Sequence, residues 1–471
     1  MNQNRMPLFE KVLQHQQGKP ISFHVPGHKN GSLYEESLHP IGEWDLTEIT
    51  GLDDLHSPEE VILEAQQLLA DLYRTRKSYF LVNGTTVGNL AMILASCHEG
   101  DYVLVQRNCH KSILNGLMLA KVRPIFLNPV IDEHLFIPAG VDLQAVIHAF
   151  NQYPMIKACI FTYPDYYGQT YELKKIIQLA HERNIPVLID EAHGAHFQLG
   201  EPFPESALSL GADMVVQSAH KTLPALTMGS YLHINSDRIN MEKVEFYLNI
   251  LQSSSPSYPI MVSLDYARHY LAQLSNEDIT YTIQERDKFL KEMGEIPGIA
   301  VKESNDPLKL IIHHDHLSGF ELQAFFEKVN IFPELADPFH VLLVLPLLKA
   351  DMTFPFREAV QRMNGLSWKT RQARNRINEN ILLQDDPFTT ELSLTYQEMA
   401  DWSKKWIGFD QAIGKVAANM LIPYPPGIPL FLPGEKITEN HIIQLKRLLA
   451  SGARFQGDTE KLEDEKIAVF S

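Results

Sequence analysis

Residues 187–222 read VLIDEAHGAHFQLGEPFPESALSLGADMVVQSAHKT. Two apolar runs, Val187–Ile189 and Met214–Val216, are separated by a stretch containing Gly, Pro and Ser. Short runs of branched residues bounded by turn residues predict buried strands. The first strand closes on Asp190-Glu-Ala-His193-Gly-Ala-His196, the second on Gln217 and then Ser218-Ala-His220-Lys221-Thr222. In an open α/β sheet, ligands bind at the carboxyl ends of the strands. The segment that decides the fold therefore also nominates a site.

Outward from this segment the same pattern repeats. Tyr79–Val82, Tyr102–Val105, Arg123–Leu127, Ala158–Thr162 and Ser230–Ile234 read as strands, with helical patterns such as Val87–Cys97 and Leu173–Arg183 between them. Such alternation predicts an α/β layer with a largely parallel sheet. The first 60 residues, rich in Gly, Pro and His, read as loops up to a helix start at Pro58-Glu59-Glu60. After about residue 285, strands at Lys309–His313 and Val341–Leu345 and helices at Gly319–Val329 and Phe356–Met363 predict a smaller α+β region. The last hundred residues predict two amphipathic helices around Ile422–Leu430. The expected divisions are an N-terminal arm over 1–59, a large domain over 60–285, a small α+β domain over 286–375 and a C-terminal domain over 376–471.

The chain has 471 residues, 41 Lys plus Arg against 58 Asp plus Glu, and a formal charge of −17. That balance excludes a sequence-tolerant nucleic-acid binder, which needs surplus cations. The pairs Lys174-Lys175 and Lys404-Lys405 read as helix surfaces, and Trp402 and Trp406, at helical spacing, as packing. The three cysteines, Cys97, Cys109 and Cys159, have no C-x-x-C spacing and suit a reducing compartment. No signal-peptide core or apolar run of bilayer length occurs, so the expectation is a cytoplasmic protein with no membrane partner. His313-His314-Asp315-His316 follows a short strand, where adjacent residues point to opposite faces and make a poor joint ligand set, and no metal is expected.

Three strand-end features carry chemistry. Asn83-Gly84-Thr85-Thr86-Val87-Gly88-Asn89 opens a helix, where free N–H groups, small residues and two hydroxyls suit a phosphate. Read alone, it is equally a capped turn, and Asp190 alone is equally a helix cap. A lysine after a buried strand is more telling, because lysine is rarely placed there without a task. Taken together the three fit pyridoxal 5'-phosphate: Lys221 for a Schiff base, Asp190 for the pyridinium nitrogen and the turn for the phosphate.

The segment from Ser218 to Ser230, SAHKTLPALTMGS, closely resembles the lysine motif of the bacterial ornithine/lysine/arginine decarboxylase family. Phe23–Gly31, Asp45–His56, Phe80–Ala95, Asp190–His196 and Pro423–Glu435 resemble the same family in the same order. The resemblance implies a fold-type-I large domain with a mainly parallel sheet and a smaller α+β C-terminal region. It implies at least a homodimer, and decarboxylation of a basic amino acid, arginine or lysine ahead of ornithine. It gives Lys221, Asp190, His110 and His193 catalytic roles, with His110 stacked on the cofactor ring and His193 beside it. Gly84, Thr85, Thr86, Ser218 and His220 would surround the phosphate. Ser253 and Ser254 would reach the phosphate of a neighbouring subunit. Met228 and Asp165 depart from the commoner residues of the family, which leaves substrate preference open. The absence of the amino-terminal response-regulator-like domain of larger members implies no assembly through that domain.

A basic substrate needs acidic partners for its far end. The candidates are Asp45, Glu48, Asp53, Asp54 and Glu435, each of which is otherwise a solvated loop acid. Two other readings share these residues: an aminotransferase or aldolase on the same fold, and a regulatory protein that keeps the fold without catalysis.

Overall fold

Seven short strands form where branched and aromatic runs end in polar turns. In the computed structural model they are β1 Lys77–Leu81, β2 Tyr102–Gln106, β3 Arg123–Leu127, β4 Ile156–Thr162, β5 Val187–Asp190, β6 Met214–Gln217 and β7 Ser230–Ile234. Every strand expected over residues 79–234 is present. The structure describes residues 1–132, 135, 137–365, 388–423, 429–450, 455–457 and 459–471. The expected domain division at 375/376 and most of the Pro-rich run after Pro423 lie outside the described residues.

The chain divides into two compact units. The first comprises Met1–Ser96 and Pro186–Ile279. Its strands lie in the order β1-β7-β6-β5, with β5 and β6 parallel and β7 running against both its neighbours. The helix Gly84–Ser96 packs on β6 and β7, and the helix Val61–Tyr73 on β1.

Helices interrupt the expected N-terminal loops at Pro7–Gln17 and His39–Trp44. Pro7 opens the first of these, where its missing N–H costs nothing, and Leu8 and Val12 bury one face. The Asp265 carboxylate, on the helix Tyr258–Ala272, accepts the Leu8 N–H at 3.0 Å and the Phe9 N–H at 3.4 Å. The partner that stabilises this helix lies about 250 residues away, so local pattern does not announce it. Pro58 is also not in a first turn. The helix begins at Val61, and Asp53 caps it by accepting N–H bonds from Glu59, Glu60 and Ile62, each at 2.9 Å, and from Leu63 at 3.3 Å.

The second unit comprises Cys97–Ile185 and Thr280–Ser471. Its further strands are β8 Ile299–Glu303, β9 Lys309–His314, β10 Leu335–Ala336, β11 His340–Val344, β12 Thr389–Glu391, β13 Lys404–Gly408, β14 Leu421–Pro423, β15 Phe455–Gly457 and β16 Lys466–Phe470. β4, β2 and β3 run parallel, and β12 joins β3 antiparallel. A separate antiparallel sheet in the order β10-β11-β9-β8 forms the expected α+β region, and β13 pairs with β16 and β14 with β15.

The C-terminal expectation needs correction. Lys404, Lys405 and Trp406 lie on strand β13, not on a helix, and Trp402 follows the short helix Tyr396–Asp401. Of the two expected amphipathic helices, one stands among the described residues at Glu439–Ala450. Because β13 is paired with β16, its successive side chains point to opposite faces of the sheet, which a helical reading of Trp402 and Trp406 does not capture. Among the described residues no helix is long and apolar enough to cross a membrane.

Candidate active site

The first unit carries most of the expected site residues, with Asp190, His193, Ser218, His220 and Lys221 at or just beyond the ends of β5 and β6. Asp190 ends β5, and the Ser218 N–H donates to the Ala192 carbonyl at 3.3 Å, tying the aspartate loop to the lysine loop. Asp190 is 2% exposed, and its carboxylate accepts from Asn89 Nδ2 at 2.9 Å and from the Ala192 N–H at 3.1 Å. Both donors are neutral. Lys221, half-buried in the short helix Ala219–Thr222, lies with Nζ 3.1 Å from His193 Nε2. A hydrogen bond between two groups that both become cations requires one to be unprotonated at the facing atom. The pair can therefore present an amine with a proton acceptor beside it.

Hydroxyls converge at the start of the helix Gly84–Ser96. Thr85 Oγ1 bonds the buried Ser218 hydroxyl and lies 3.0 Å from the buried Ser230 Oγ. Gly84 has φ +77°, which only glycine adopts freely, and its N–H donates to the Met228 carbonyl at 3.0 Å. Thr86, in the same turn, is exposed. His220 donates from Nδ1 to the Gly229 carbonyl at 2.9 Å. The Gln252 side chain accepts the Val82 N–H at 2.9 Å, and the Ser253 N–H donates to Asn83 Oδ1 at 3.2 Å. The segment bearing the exposed Ser253 and Ser254 is thus docked beside the turn of its own chain.

Sequence reasoning missed three residues here. Ser230 completes the hydroxyl cluster from the start of β7. Asn89 was readable, because it follows Thr85 by four positions on one helix and so shares its face. Glu191, next to Asp190, is fully buried and accepts from Ser206 Oγ at 2.9 Å, the Ala207 N–H at 2.6 Å and Gln217 Nε2 at 2.6 Å. Burial pushes its carboxyl up to about 8 despite these donors. Gln217 Oε1 in turn faces His233 Nε2 at 3.2 Å, and burial lowers His233 to about 3, so that ring is neutral.

The expected acids are not equivalent. Asp53 is spent capping the helix Val61–Tyr73, and Asp45 pairs with His28 at 3.1 Å. Asp54 Oδ1 accepts the His56 N–H at 2.9 Å. Glu48 is exposed and bonds the neighbouring Thr47 hydroxyl at 2.5 Å. In the second unit Glu435 is 4% exposed and held by Arg107, with Nη1 at 2.5 Å and Nη2 at 2.7 Å from its two oxygens. Burial opposes ionisation of Glu435, but the Arg107 charge and hydrogen bonds outweigh it and hold its carboxyl below the usual range. Asp53 and Glu435 therefore have structural partners in place of a substrate cation.

The second unit also carries His110, exposed at the N-cap of the helix Lys111–Leu119, where Nδ1 accepts the Ser112 N–H at 3.2 Å. Asp165 Oδ1 accepts the Tyr167 N–H at 2.9 Å and the Gln169 N–H at 2.8 Å, so this departure from the family pattern serves its own turn. Burial raises Asp165 to about 7. Met228 takes φ +77° and contributes to the turn through its carbonyl.

Residues 6–306 match the family Orn/Lys/Arg decarboxylase, major domain, and residues 377–462 match Orn/Lys/Arg decarboxylase, C-terminal domain. The chain is 44% identical to uncharacterized protein YaaO of Bacillus subtilis (strain 168), covering 98% of each. It is 33% identical to the arginine decarboxylase of the same organism, covering 97% of this chain and 96% of that one. The solved structure of E. coli constitutive lysine decarboxylase aligns with a TM-score of 0.81 at 20% identity, over 99% of this chain and 82% of that chain. The expected fold-type-I arrangement is the one present.

Proposed function

The chain belongs to the Orn/Lys/Arg decarboxylase family, and from that premise we propose that it removes the α-carboxylate of a basic amino acid as CO2, with arginine or lysine ahead of ornithine. The observation that carries this reading is the convergence, in one unit, of a lysine amine beside an imidazole, a buried carboxylate with neutral donors, and a hydroxyl cluster at a helix start. These features fit pyridoxal 5'-phosphate. When bound, that cofactor supplies an electron-withdrawing ring that accepts the electron pair released as CO2 departs.

Lys221 offers the amine for covalent attachment, and His193 is placed to take or return its proton at Nζ. Asp190 supplies a negative charge for a protonated ring nitrogen. At about 4 Å two unit charges attract by about 4 kcal/mol at an effective dielectric of ~20 before desolvation is counted. Thr85, Ser218 and the N–H groups of the helix start bind phosphate, and one anchored end restricts how the substrate turns. For the substrate's distal cation, Glu48 is the acid we assign, because it is exposed and bonded to its neighbour's hydroxyl. By contrast, Asp53 caps a helix, Glu435 is held by Arg107, Asp45 pairs with His28 and Asp54 holds its own turn through the His56 N–H. The exposed apolar side chains Ile21, Phe23 and Leu33 in the N-terminal segment support burial against a second copy. The buried thiols Cys97, Cys109 and Cys159 suit a reducing, cytoplasmic setting.

The test is CO2 release by purified, cofactor-loaded protein given arginine, lysine and ornithine separately, with Lys221→Ala and Glu48→Gln alongside. Release from one substrate is expected, lost in Lys221→Ala, with KM raised about tenfold or more in Glu48→Gln, the scale of a hydrogen-bonded charge pair. No release from any of the three, with cofactor bound through Lys221, moves the assignment to another reaction on this fold. An unchanged KM in Glu48→Gln removes Glu48 from the substrate site.

A further inference from the structure

The helix Gly84–Ser96 touches the site twice. Thr85 joins the hydroxyls of Ser218 and Ser230 in its first turn, and Asn89, one turn later, donates to Asp190 Oδ2 at 2.9 Å. Positions four apart share a helix face and are separated by about 6 Å along the axis. A single rigid element therefore spaces the hydroxyl cluster from the carboxylate. Gly88 is what lets the helix lie close enough. A Cβ there would fall 2.4 Å from Val216 Cγ2 and 2.8 Å from Leu81 Cδ1, so a larger residue would push the helix off β6 and β1.

We propose that Asn89 is a positioning residue for Asp190, aiming its carboxylate while the helix sets its distance from the phosphate end. The proposal rests on reading Asp190 and the hydroxyl cluster as the ring-nitrogen and phosphate ends of a pyridoxal phosphate site. An ionised carboxylate only accepts hydrogen bonds, so Asn89 must present its N–H, and such a bond favours the charged form. The other donor, the Ala192 backbone N–H, is fixed by the turn after β5. Among the described residues Asn89 is thus the side chain that sets the direction of Asp190. Its own reach is set in turn by the glycine before it.

The test compares Asn89→Leu, which keeps the branching and number of heavy atoms and removes the donor, and Asn89→Asp, which opposes a second carboxylate to the first. Asn89→Ala stands in if leucine disturbs the core. Cofactor is titrated into each apoprotein, and the visible absorbance of the bound cofactor is followed against pH. The expected result for Asn89→Leu is affinity weaker by about tenfold or more and a pH midpoint moved by on the order of one unit. A larger loss is expected for Asn89→Asp, where like charges adjoin. Melting of the apoproteins separates these effects from misfolding, because a purely structural role lowers the melting temperature and leaves the absorbance midpoint in place. A parent-like midpoint and affinity in folded Asn89 variants overturn the role of Asn89. A parent protein that takes up no cofactor at Lys221 overturns the reading of the site, and the proposal with it.

Discussion

Asp190 and Glu435 are both carboxylates within a few per cent of complete burial, yet the fold treats them in opposite ways. Glu435 meets a guanidinium through two bonds and adds the Leu432 N–H at 2.9 Å. Among the described residues Asp190 meets only an amide and a backbone N–H. Burying a carboxylate costs several kcal/mol in either place. In the second unit the protein supplies the counter-charge itself, and the pair fastens the segment around Pro429 and Leu430, whose carbonyls Arg107 also binds. In the first unit dipoles alone offset the cost, so the charge of Asp190 is worth most to a cation that arrives with a ligand. On the proposed reading of Asp190, a carboxylate kept for structure and one kept for chemistry are distinguished by the charge of their partners more than by their exposure.

The largest expected effect breaks the structural half of this comparison. Arg107→Ala leaves Glu435 buried without its cation and strips a donor from Thr390 Oγ1 as well as from two carbonyls. Removing one partner of a buried pair costs about 3–5 kcal/mol. Urea unfolding at pH 7 should show that loss, and a matched apolar replacement of both residues should recover much of it. A loss under about 1 kcal/mol would mean that water or neighbouring groups reach Glu435 and that the pair is not what holds this segment.

The Arg107–Glu435 pair also marks the limit of what the sequence discloses. Glu435 stood in a segment singled out for its resemblance to a family, but nothing local joins it to Arg107, 328 positions away. The strands were legible because each is complete in itself: Arg123–Leu127, Val187–Asp190, Met214–Gln217 and Ser230–Ile234 are short branched runs with polar ends, and their bounds agree with the structure. Elements that depend on a distant partner were not. The helix Pro7–Gln17 draws its support from Asp265, and β13 is a strand because β16 pairs with it some sixty residues later. The site divides in the same way. Lys221, Asp190 and the turn at Gly84 were readable as strand-end chemistry, whereas Asp53 and Glu435 passed for substrate acids until their backbone and arginine partners were seen.

Glu191 sharpens the comparison from inside the site. It adjoins Asp190 and shares its neutral surroundings, and burial carries its carboxyl from 4.5 up to about 8. Between those values the folded protein binds a proton that the unfolded chain has released, so stability falls as pH rises through that window and is level outside it. One such group contributes about 3 kcal/mol between pH 5 and 8. Asp165, raised to about 7, adds a slope of the same sign at lower pH, which leaves the interval from 7 to 8 mainly to Glu191. His233, behind Gln217, is lowered to about 3 and stays neutral throughout. Glu191→Gln should therefore flatten the decline of unfolding free energy between pH 7 and 8. An unchanged slope would show that the three donors keep Glu191 ionised.

The smallest expected change in stability belongs to the residue with the largest expected part in the chemistry. Asp190→Asn keeps an oxygen that can accept one of the two N–H bonds, and Asn89 can turn its amide to receive the new N–H at the other position. No ion pair is broken, so the apoprotein should stay within about 1 kcal/mol of the parent, the net worth of one hydrogen bond. CO2 release by the cofactor-loaded variant should nevertheless fall by most of its value, because an amide cannot hold a proton on a ring nitrogen as a carboxylate does. The paired measurement matters more than either alone. A variant that loses stability as Arg107→Ala does would place Asp190 among the structural carboxylates, and one that keeps the parent rate would remove it from the chemistry. Stability kept with activity lost is the signature of a charge whose proper partner is the ligand.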